Sequence, residues 1–473
     1  MRKSIAALAG IALAGAVLWL PIVRTVRAEG QPAELKKAYR QPAKNGWTYV
    51  HIEGTPHELG FQSGYLLANE VQDTLHVVQL EAAHDYKKDW QFFRDAAQNM
   101  MWPHIEKEYR NELQGIADGA TAHGVKIDVW DVVAMNAALE WSYYVKVYDK
   151  QHGITTTAKL GTPEHCSAFV ATGKYTKDGK VVIAHNNWTT YLEGERWTII
   201  YDIQPTNGKR MLMDGLPGFI HSADDFVVNS AGIAITETTI GHFEGYDPNA
   251  IPEFVRARKA AQYATNVDDF ARIMKDGNNG GYANAWLVAD ERNNEVARLE
   301  LGLKNVTLER TKDGYFVGSN FPINEKLIKE EASSYDVNNM SESSNARHVR
   351  WEQLMAENKG KIDLAAAQKF EADHYDTFEK KEDPDERTLD GHIELSPRGS
   401  GDWVPPFGTA GAVQNKAADS GMIAKMSFSA AAGHACGKDF KAADHLAKHP
   451  EYDWQKPLQR DMDAYPWTTF ASK

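Results

Sequence analysis

The chain is 473 residues long, 42% hydrophobic and 10% aromatic, with a formal net charge of −13 and two cysteines. That length supports two or three ordinary domains or one large one, and 13 tryptophans suit a packed globule rather than a disordered chain. The acidic balance, uninterrupted by any Lys/Arg block, argues against a nucleic-acid partner, and two cysteines are too few for a disulfide scaffold.

In chain order, Met1-Arg2-Lys3 is a short basic start, and Ile5 to Val23 is almost wholly apolar. Arg24 follows, and Val26-Arg27-Ala28 offers small residues at signal-peptidase spacing, so residues 1–28 read as a signal peptide cut before Glu29. The apolar run is nearly long enough to span a bilayer, which makes an uncleaved N-terminal anchor the alternative. No cysteine follows the run, so a lipoprotein anchor is excluded. The expected product is an exported protein, more acidic than the whole chain because Arg2, Lys3, Arg24 and Arg27 leave with the leader.

From Pro56 to Tyr148 apolar residues recur at helical spacing, as in Leu67, Val71, Leu75 and Val78, with further helical stretches at 91–123 and 127–148. Asp149–Glu164 is polar and rich in Gly and Thr, and reads as an exposed linker. Beyond it the texture turns to strands. Cys166–Thr172 and Lys180–Asn187 flank Lys177-Asp178-Gly179, a hairpin pattern. Trp197–Gln204 and Arg210–Met213 flank Asn207-Gly208, and Asp225–Asn229 and Gly232–Thr239 flank Ser230-Ala231. A helix is expected over Pro252–Lys275, opened by Pro252. Strands follow at Tyr282–Ala289, Glu295–Leu301 and Val306–Arg310, then helices near 345–358 and 363–374. The polar stretch 380–405 reads as irregular, with Glu382–Glu386 as solvated surface, and 409–434 supplies final strands. Hairpins with helices between them predict a layered α+β fold, not a doubly wound parallel sheet.

The chain has no G-x-S-x-G elbow, Walker loop, G-x-G-x-x-G, H-E-x-x-H or C-x-x-C, and its 17 histidines show no metal-ligand spacing above chance. No cofactor and no metal is expected. Cys166 stands out, because its hairpin folds the run His185-Asn186-Asn187-Trp188 back beside it. Imidazole, amide and indole groups there could stabilise a thiolate or an oxyanion. On the residues alone Cys166 can be a packed small hydrophobe, half of a disulfide or a nucleophile, and packing is the commonest of these. Cys436 has no motif around it that suggests chemistry.

Several segments carry a family resemblance. GTPHELGFQSGYLLA (54–68) and ELQGIADGA (112–120) precede CSAFVATG (166–173) and VVIAHNNWTTY (181–191), and SADDFVVNSAGIAITETTIG (222–241), GGYANAWLVAD (280–290) and SSNARHVRWEQL (343–354) follow in order. Together they resemble the N-terminal nucleophile hydrolases of the acyl-CoA:6-aminopenicillanate acyltransferase type, more closely their phospholipase B-like branch. The resemblance implies a four-layer αββα sandwich spanning 166–473, preceded by a helical pro-region and linker at 29–165. It implies that Cys166 attacks its own preceding bond, His165–Cys166, and that the pro-region fragment stays associated non-covalently. The freed α-amine of Cys166 would then serve as base and acid, since it titrates at about 7.7–8.0 against about 8.5 for an ordinary thiol.

Residue by residue, His185 matches the histidine of the phospholipase B-like hairpin, where bile-salt and penicillin-type relatives carry arginine. Their aspartate position falls here on Asn187 or Trp188. Asn284 matches the oxyanion-hole asparagine and Arg347 the late arginine that orients the nucleophile's surroundings. Trp188, Thr238 and Thr239 are expected to line the substrate site, with Glu237 in the same polar patch. The expected reaction is hydrolysis of a small acyl amide through a Cys166 thioester. Ester hydrolysis on a lipid-like substrate, or a self-processed binding protein without turnover, are the alternatives.

Overall fold

The computed structural model describes residues 32–155, 166–223, 226–401 and 403–473. Two strands, β1 (Tyr39–Arg40) and β2 (Thr48–Gly54), come before any α-helix. The pro-region is therefore not purely helical as expected. In Thr48–Gly54 apolar side chains serve both faces: Tyr49 points one way and Val50 and Ile52 join a different cluster. Short apolar runs of this kind suit a strand buried on both sides.

Helix α1 (Pro56–Leu66) starts on a capping box in which Thr55 and Glu58 bond each other's backbone N–H, with Pro56 at the first helical position. It is followed by α2 (Ala68–Tyr86), α3 (Trp90–Ala96), α4 (Lys107–Ala122), α5 (Val129–Asn136) and α6 (Trp141–Gln151). Helix α6 takes in the start of the expected linker, because Asp149 is buried and paired with Lys88 at 2.7 Å. The helices α1 and α4 cross through four glycines. A Cβ at Gly60 would lie 1.9 Å from the Glu112 carbonyl oxygen, and one at Gly115 would lie 2.3 Å from that of His57. Gly64 and Gly119 are equally tight, against Ile116 and Phe61 carbonyls. Backbone cannot yield as a side chain can, so Gly60→Ala should lower stability by about 1–3 kcal/mol through overpacking. Urea unfolding of the two chains checks this.

The hairpin β3 (Ser167–Thr172) and β4 (Val182–Thr190) is antiparallel, as expected, and α7 (Tyr191–Gly194) follows. Strands β5 (Ile199–Pro205), β6 (Met211–Gly215), β7 (Val227–Asn229) and β8 (Ile233–Thr239) form the next two hairpins. The expected helix at Pro252–Lys275 is two, α8 (Glu253–Tyr263) and α9 (Val267–Lys275). They part at Thr265-Asn266, where the Asn266 side chain accepts from Asp269 N–H and starts a new helix. Pro252 caps α8 from outside.

Strands β9 (Asn284–Asp290), β10 (Glu295–Leu301), β11 (Val306–Thr311) and β12 (Gly314–Gly318) come next, then α10 (Glu325–Glu331), α11 (Ser343–Glu357) and α12 (Leu364–Phe370). A ribbon of β13 (Tyr375–Asp376) and β14 (Lys381–Glu382) opens the irregular stretch. Asp385 and Glu386 there are buried rather than solvated, since Arg398 reaches both at 2.8 and 2.7 Å. The chain ends with β15 (Ala410–Asp419), α13 (Ser420–Ile423), β16 (Ser427–Ala432), α14 (Ala442–Lys448) and β17 (Thr468–Ala471).

A nine-stranded sheet has the order β1-β2-β5-β6-β7-β8-β9-β10-β11, and a six-stranded sheet the order β12-β3-β4-β15-β16-β17. β2 and β5 pair in parallel, while the hairpin partners around them are antiparallel. The inner faces meet in one apolar cluster: Tyr49, Ile200, Leu212 and Leu287 from the large sheet face Ala168, Val170, Ile183 and Phe428 from the small one. Outer faces carry helices. Val50, Ile199 and Met213 pack on α1–α6, whereas Phe169 and Ala184 pack on Trp351, Met355 and Phe370 of α11 and α12. Among the described residues no helix is long and apolar enough to cross a membrane.

Candidate functional site

The register of β3 on β4 sets the site. Ser167 faces Asn186 and Ala168 faces His185, so Cys166, just before β3, comes level with Asn187. The wholly buried Cys166 thiol lies 3.5 Å from Asn187 Oδ1, a geometry in which sulfur donates weakly to the amide oxygen. His185 and Asn187 are two apart on β4 and so share its face toward the large sheet. From that sheet, β8 brings in Glu237: one ligand-type atom each of Cys166, His185 and Glu237 fall within 4.8 Å of one another. Tyr282 donates its hydroxyl to Glu237 Oε1 at 3.1 Å. A thiol, an imidazole and a carboxylate thus meet at the mouth of a buried hairpin.

The backbone of Cys166 is itself constrained. Its φ is 87°, in the left-handed region that costs a residue with a Cβ about 1–3 kcal/mol. Arg347, wholly buried in α11, secures the position with a fork of donors. Its Nη1 donates to the Cys166 carbonyl at 2.6 Å and to Ser167 Oγ at 3.1 Å. Its Nε donates to Ser343 Oγ at 3.0 Å, and Nη2 to Asn320 Oδ1 at 2.9 Å. The guanidinium rests on the Trp188 ring, 4.4 Å from its centre, and that indole N–H donates to the Leu389 carbonyl. Trp188 therefore braces Arg347.

Asn320 links this clamp to the other sheet. Held at a φ of 67°, it donates its amide N–H to the Thr239 carbonyl at 2.8 Å, and Thr239 is the register partner of Asn284. Asn284 heads β9, is fully buried, and neither its amide oxygen nor its amide nitrogen has a protein partner. The Thr238 and Thr239 hydroxyls are likewise buried without one. Thr238 faces the small sheet: a Cβ at Gly318, the partner of Ala168, would lie 2.5 Å from its Oγ1. An uncommitted amide and two uncommitted hydroxyls are donors of the kind an acyl-transfer oxyanion needs.

The structure thus brings Cys166, His185, Arg347 and Trp188 together, and joins Thr239 and Asn284 to them through Asn320. His165 lies outside the described residues. Neither Cys166 nor Cys436 is in a disulfide. Sequence reasoning placed Asn187 near Cys166, as one of two candidates for the relatives' aspartate position, but assigned no role to Ser167, Asn320 or Ser343. It also passed over Lys416, which pairs in register with His185 and reaches Asp214 of the large sheet at 3.1 Å, both fully buried. Glu237 was placed in advance, in the polar patch it forms with Thr238 and Thr239 at the end of β8. Behind the hairpin, Asn186 donates to the Glu371 carbonyl at 2.9 Å, and burial holds the Glu371 carboxyl well above the usual carboxylate range.

Comparison with known proteins is consistent along most of the chain. The sequence profile of the Phospholipase B family matches residues 69–465, on both sides of Cys166. An uncharacterized protein of Archaeoglobus fulgidus is 26% identical over 267 residues, covering 55% of this chain and 44% of that protein. Phospholipase B-like 1 of Homo sapiens is 27% identical over 188 residues, 34% of this chain and 33% of its own. Phospholipase B-like protein A of Dictyostelium discoideum is 28% identical over 138 residues, 27% and 24%. The matched stretches span less than half the length of each of these relatives.

Proposed function

The chain belongs to the phospholipase B family, and from that premise we propose that it is an exported acyl hydrolase which cuts its own chain before Cys166 and then uses that cysteine as nucleophile. The carrying observation is the Cys166 junction: a buried thiol on a residue at φ 87°, its carbonyl gripped by Arg347. The φ torsion is defined by the preceding carbonyl carbon. Strain about it is relieved once that carbon leaves.

In the processing step the Cys166 sulfur bonds to the His165 carbonyl carbon, the bond from that carbon to the Cys166 nitrogen breaks, and the nitrogen takes up the proton. Water then hydrolyses the thioester, leaving a carboxylate on residue 165 and a free thiol and α-amine on Cys166. In turnover the amine accepts the thiol proton and passes it to the leaving group while the acyl carbon moves to sulfur. Water then attacks the thioester, releasing the acyl group as the acid and returning the proton to sulfur. The Asn284 amide stabilises the oxyanion, a contribution of about 2.7–4 kcal/mol for one such donor. His185 and Glu237 set the charge around the thiol, Arg347, braced from behind by Trp188, positions the residue, and Thr238 and Thr239 shape the acyl site. Two sheets with helices on both outer faces suit the four-layer αββα arrangement of this chemistry. The strands β1 and β2 would keep the fragment ending at residue 165 attached.

The relatives' names point to ester-linked acyl chains of phospholipids as substrate. Hydrolysis of an acyl amide is the second reading, because a thioester forms from either derivative. Matched substrates separate them: one acyl chain presented as a glycerophospholipid in mixed micelles and as an N-acyl amine. Faster release of fatty acid from the phospholipid supports the ester reading, and the reverse order replaces it with the amide. Absence of turnover on both by a chain cut before Cys166 would leave a binding protein.

A further inference from the structure

Away from Cys166, a second set of reactive side chains converges where the 373–394 stretch meets the turn after β16. We propose that His374, Asp390, His392 and Cys436 bind a single divalent transition-metal ion of the zinc class. One donor atom of each of the four lies within 4.8 Å of all the others. His374 Nε2 is 3.1 Å from Asp390 Oδ2, His392 Nε2 is 3.7 Å from the same oxygen, and Cys436 Sγ is 3.6 Å from His392 Nε2. Metal–ligand bonds of about 2.0–2.3 Å in a tetrahedron put donor atoms roughly 3.3–3.8 Å apart, so a small ion fits with minor adjustment. A thiolate with two imidazoles selects zinc-like ions over calcium or magnesium, and the thiol proton leaves to solvent as the ion enters.

The surroundings are those of an oriented ligand set. His392 turns its other ring nitrogen to Glu394 Oε1 at 3.0 Å, and Tyr191 donates its hydroxyl to Glu394 Oε2 at 2.6 Å. Asp390 meets His434 Nδ1 with its second oxygen at 3.3 Å, and the Cys436 backbone N–H donates to Asp390 Oδ2 at 3.0 Å. Carboxylate partners of this kind fix ring orientation and raise ligand basicity. Asp390 and His392 are buried, His374 is half-buried and Cys436 exposed, so the site is closed inside and open to an entering ion. The same geometry resembles a Cys–His–Glu nucleophile. Two features favour the metal: the Cys436 N–H is committed to Asp390, and a second imidazole and a carboxylate also crowd the sulfur.

The ion would tie the 373–394 stretch to the small sheet directly behind Trp188. Leu389 accepts from the Trp188 indole, and a Cβ at Gly391 would lie 2.1 Å from that ring. Metal binding would therefore stiffen the brace beneath Arg347.

The test uses the full chain, stripped with a chelator and titrated with Co²⁺. An equimolar end point with a thiolate-to-cobalt charge-transfer band is expected, and Zn²⁺ should displace it. Cys436→Ser should lose the band, while Cys166→Ala keeps it. His374→Ala, on the rim, should weaken affinity by about tenfold or more. Failure of the folded, stripped wild type to bind Co²⁺ saturably overturns the proposal, as does a band that survives in Cys436→Ser. If that variant misfolds, protection of Cys436 from alkylation by Zn²⁺ in the wild type decides.

Discussion

Replacing Cys166 with alanine should leave the chain uncut and remove turnover, by about 10⁴–10⁶-fold in kcat, as loss of a nucleophile does elsewhere. Intact masses and N-terminal sequencing are the measurement. Wild type should give a fragment beginning at Cys166 and another ending at residue 165, and the variant a single chain over the same span. The argument rests on one atom, because the same sulfur serves both steps. Alanine keeps the Cβ and hence the backbone at φ 87°, so folding should be unchanged within about 1 kcal/mol. A wild-type chain that stays whole under folding conditions sinks self-processing. A variant that is cut as efficiently as wild type assigns the cut to an outside protease.

Arg347→Lys should slow both processing and turnover by about 100-fold, the cost of displacing reacting groups by about an ångström. Lysine keeps the charge but offers a point donor in place of a planar fork. It cannot reach the Cys166 carbonyl, Ser343 and Asn320 at once, nor stack on Trp188 as a flat cation. Each buried acceptor left without its donor costs about 1–3 kcal/mol, so Arg347→Ala should also be markedly less stable. The pH profile of Cys166 alkylation separates positioning from mere support. A positioning role shifts that profile in Arg347→Lys, whereas a purely structural one lowers the unfolding midpoint and leaves the profile alone.

Much of the strand content was legible because its causes are local. Asn207-Gly208 and Lys177-Asp178-Gly179 announce their turns, and the strands on either side follow. The resemblance pointed to Cys166, His185, Asn284 and Arg347; the structure sets His185 and Arg347 against Cys166 and places Asn284 in register with Thr239. What stayed hidden depends on partners far along the chain. β2 pairs antiparallel with β1 just before it, but its other neighbour β5 lies some 150 residues later and runs parallel. Asn320 carries no local sign of bridging Arg347 to Thr239. Asp385 and Glu386 look like solvated charge until Arg398 is seen folding back on both. The two pro-segment motifs were visible as strings, but their purpose was not. Gly60, Gly64, Gly115 and Gly119 exist to let two helices touch backbone to backbone.

If the chain is cut before Cys166, the placement of β2 between β1 and β5 changes the order of the folding reaction. A chain severed at residue 166 holds the outer strands of its large sheet on one polypeptide and the remaining strands on another. Unfolding such a molecule releases two species, and reassembly depends on their collision. Recovery would then rise with protein concentration, where an uncut chain recovers equally well at any dilution. The protein would fold once as a single molecule and thereafter persist on the slowness of its unfolding.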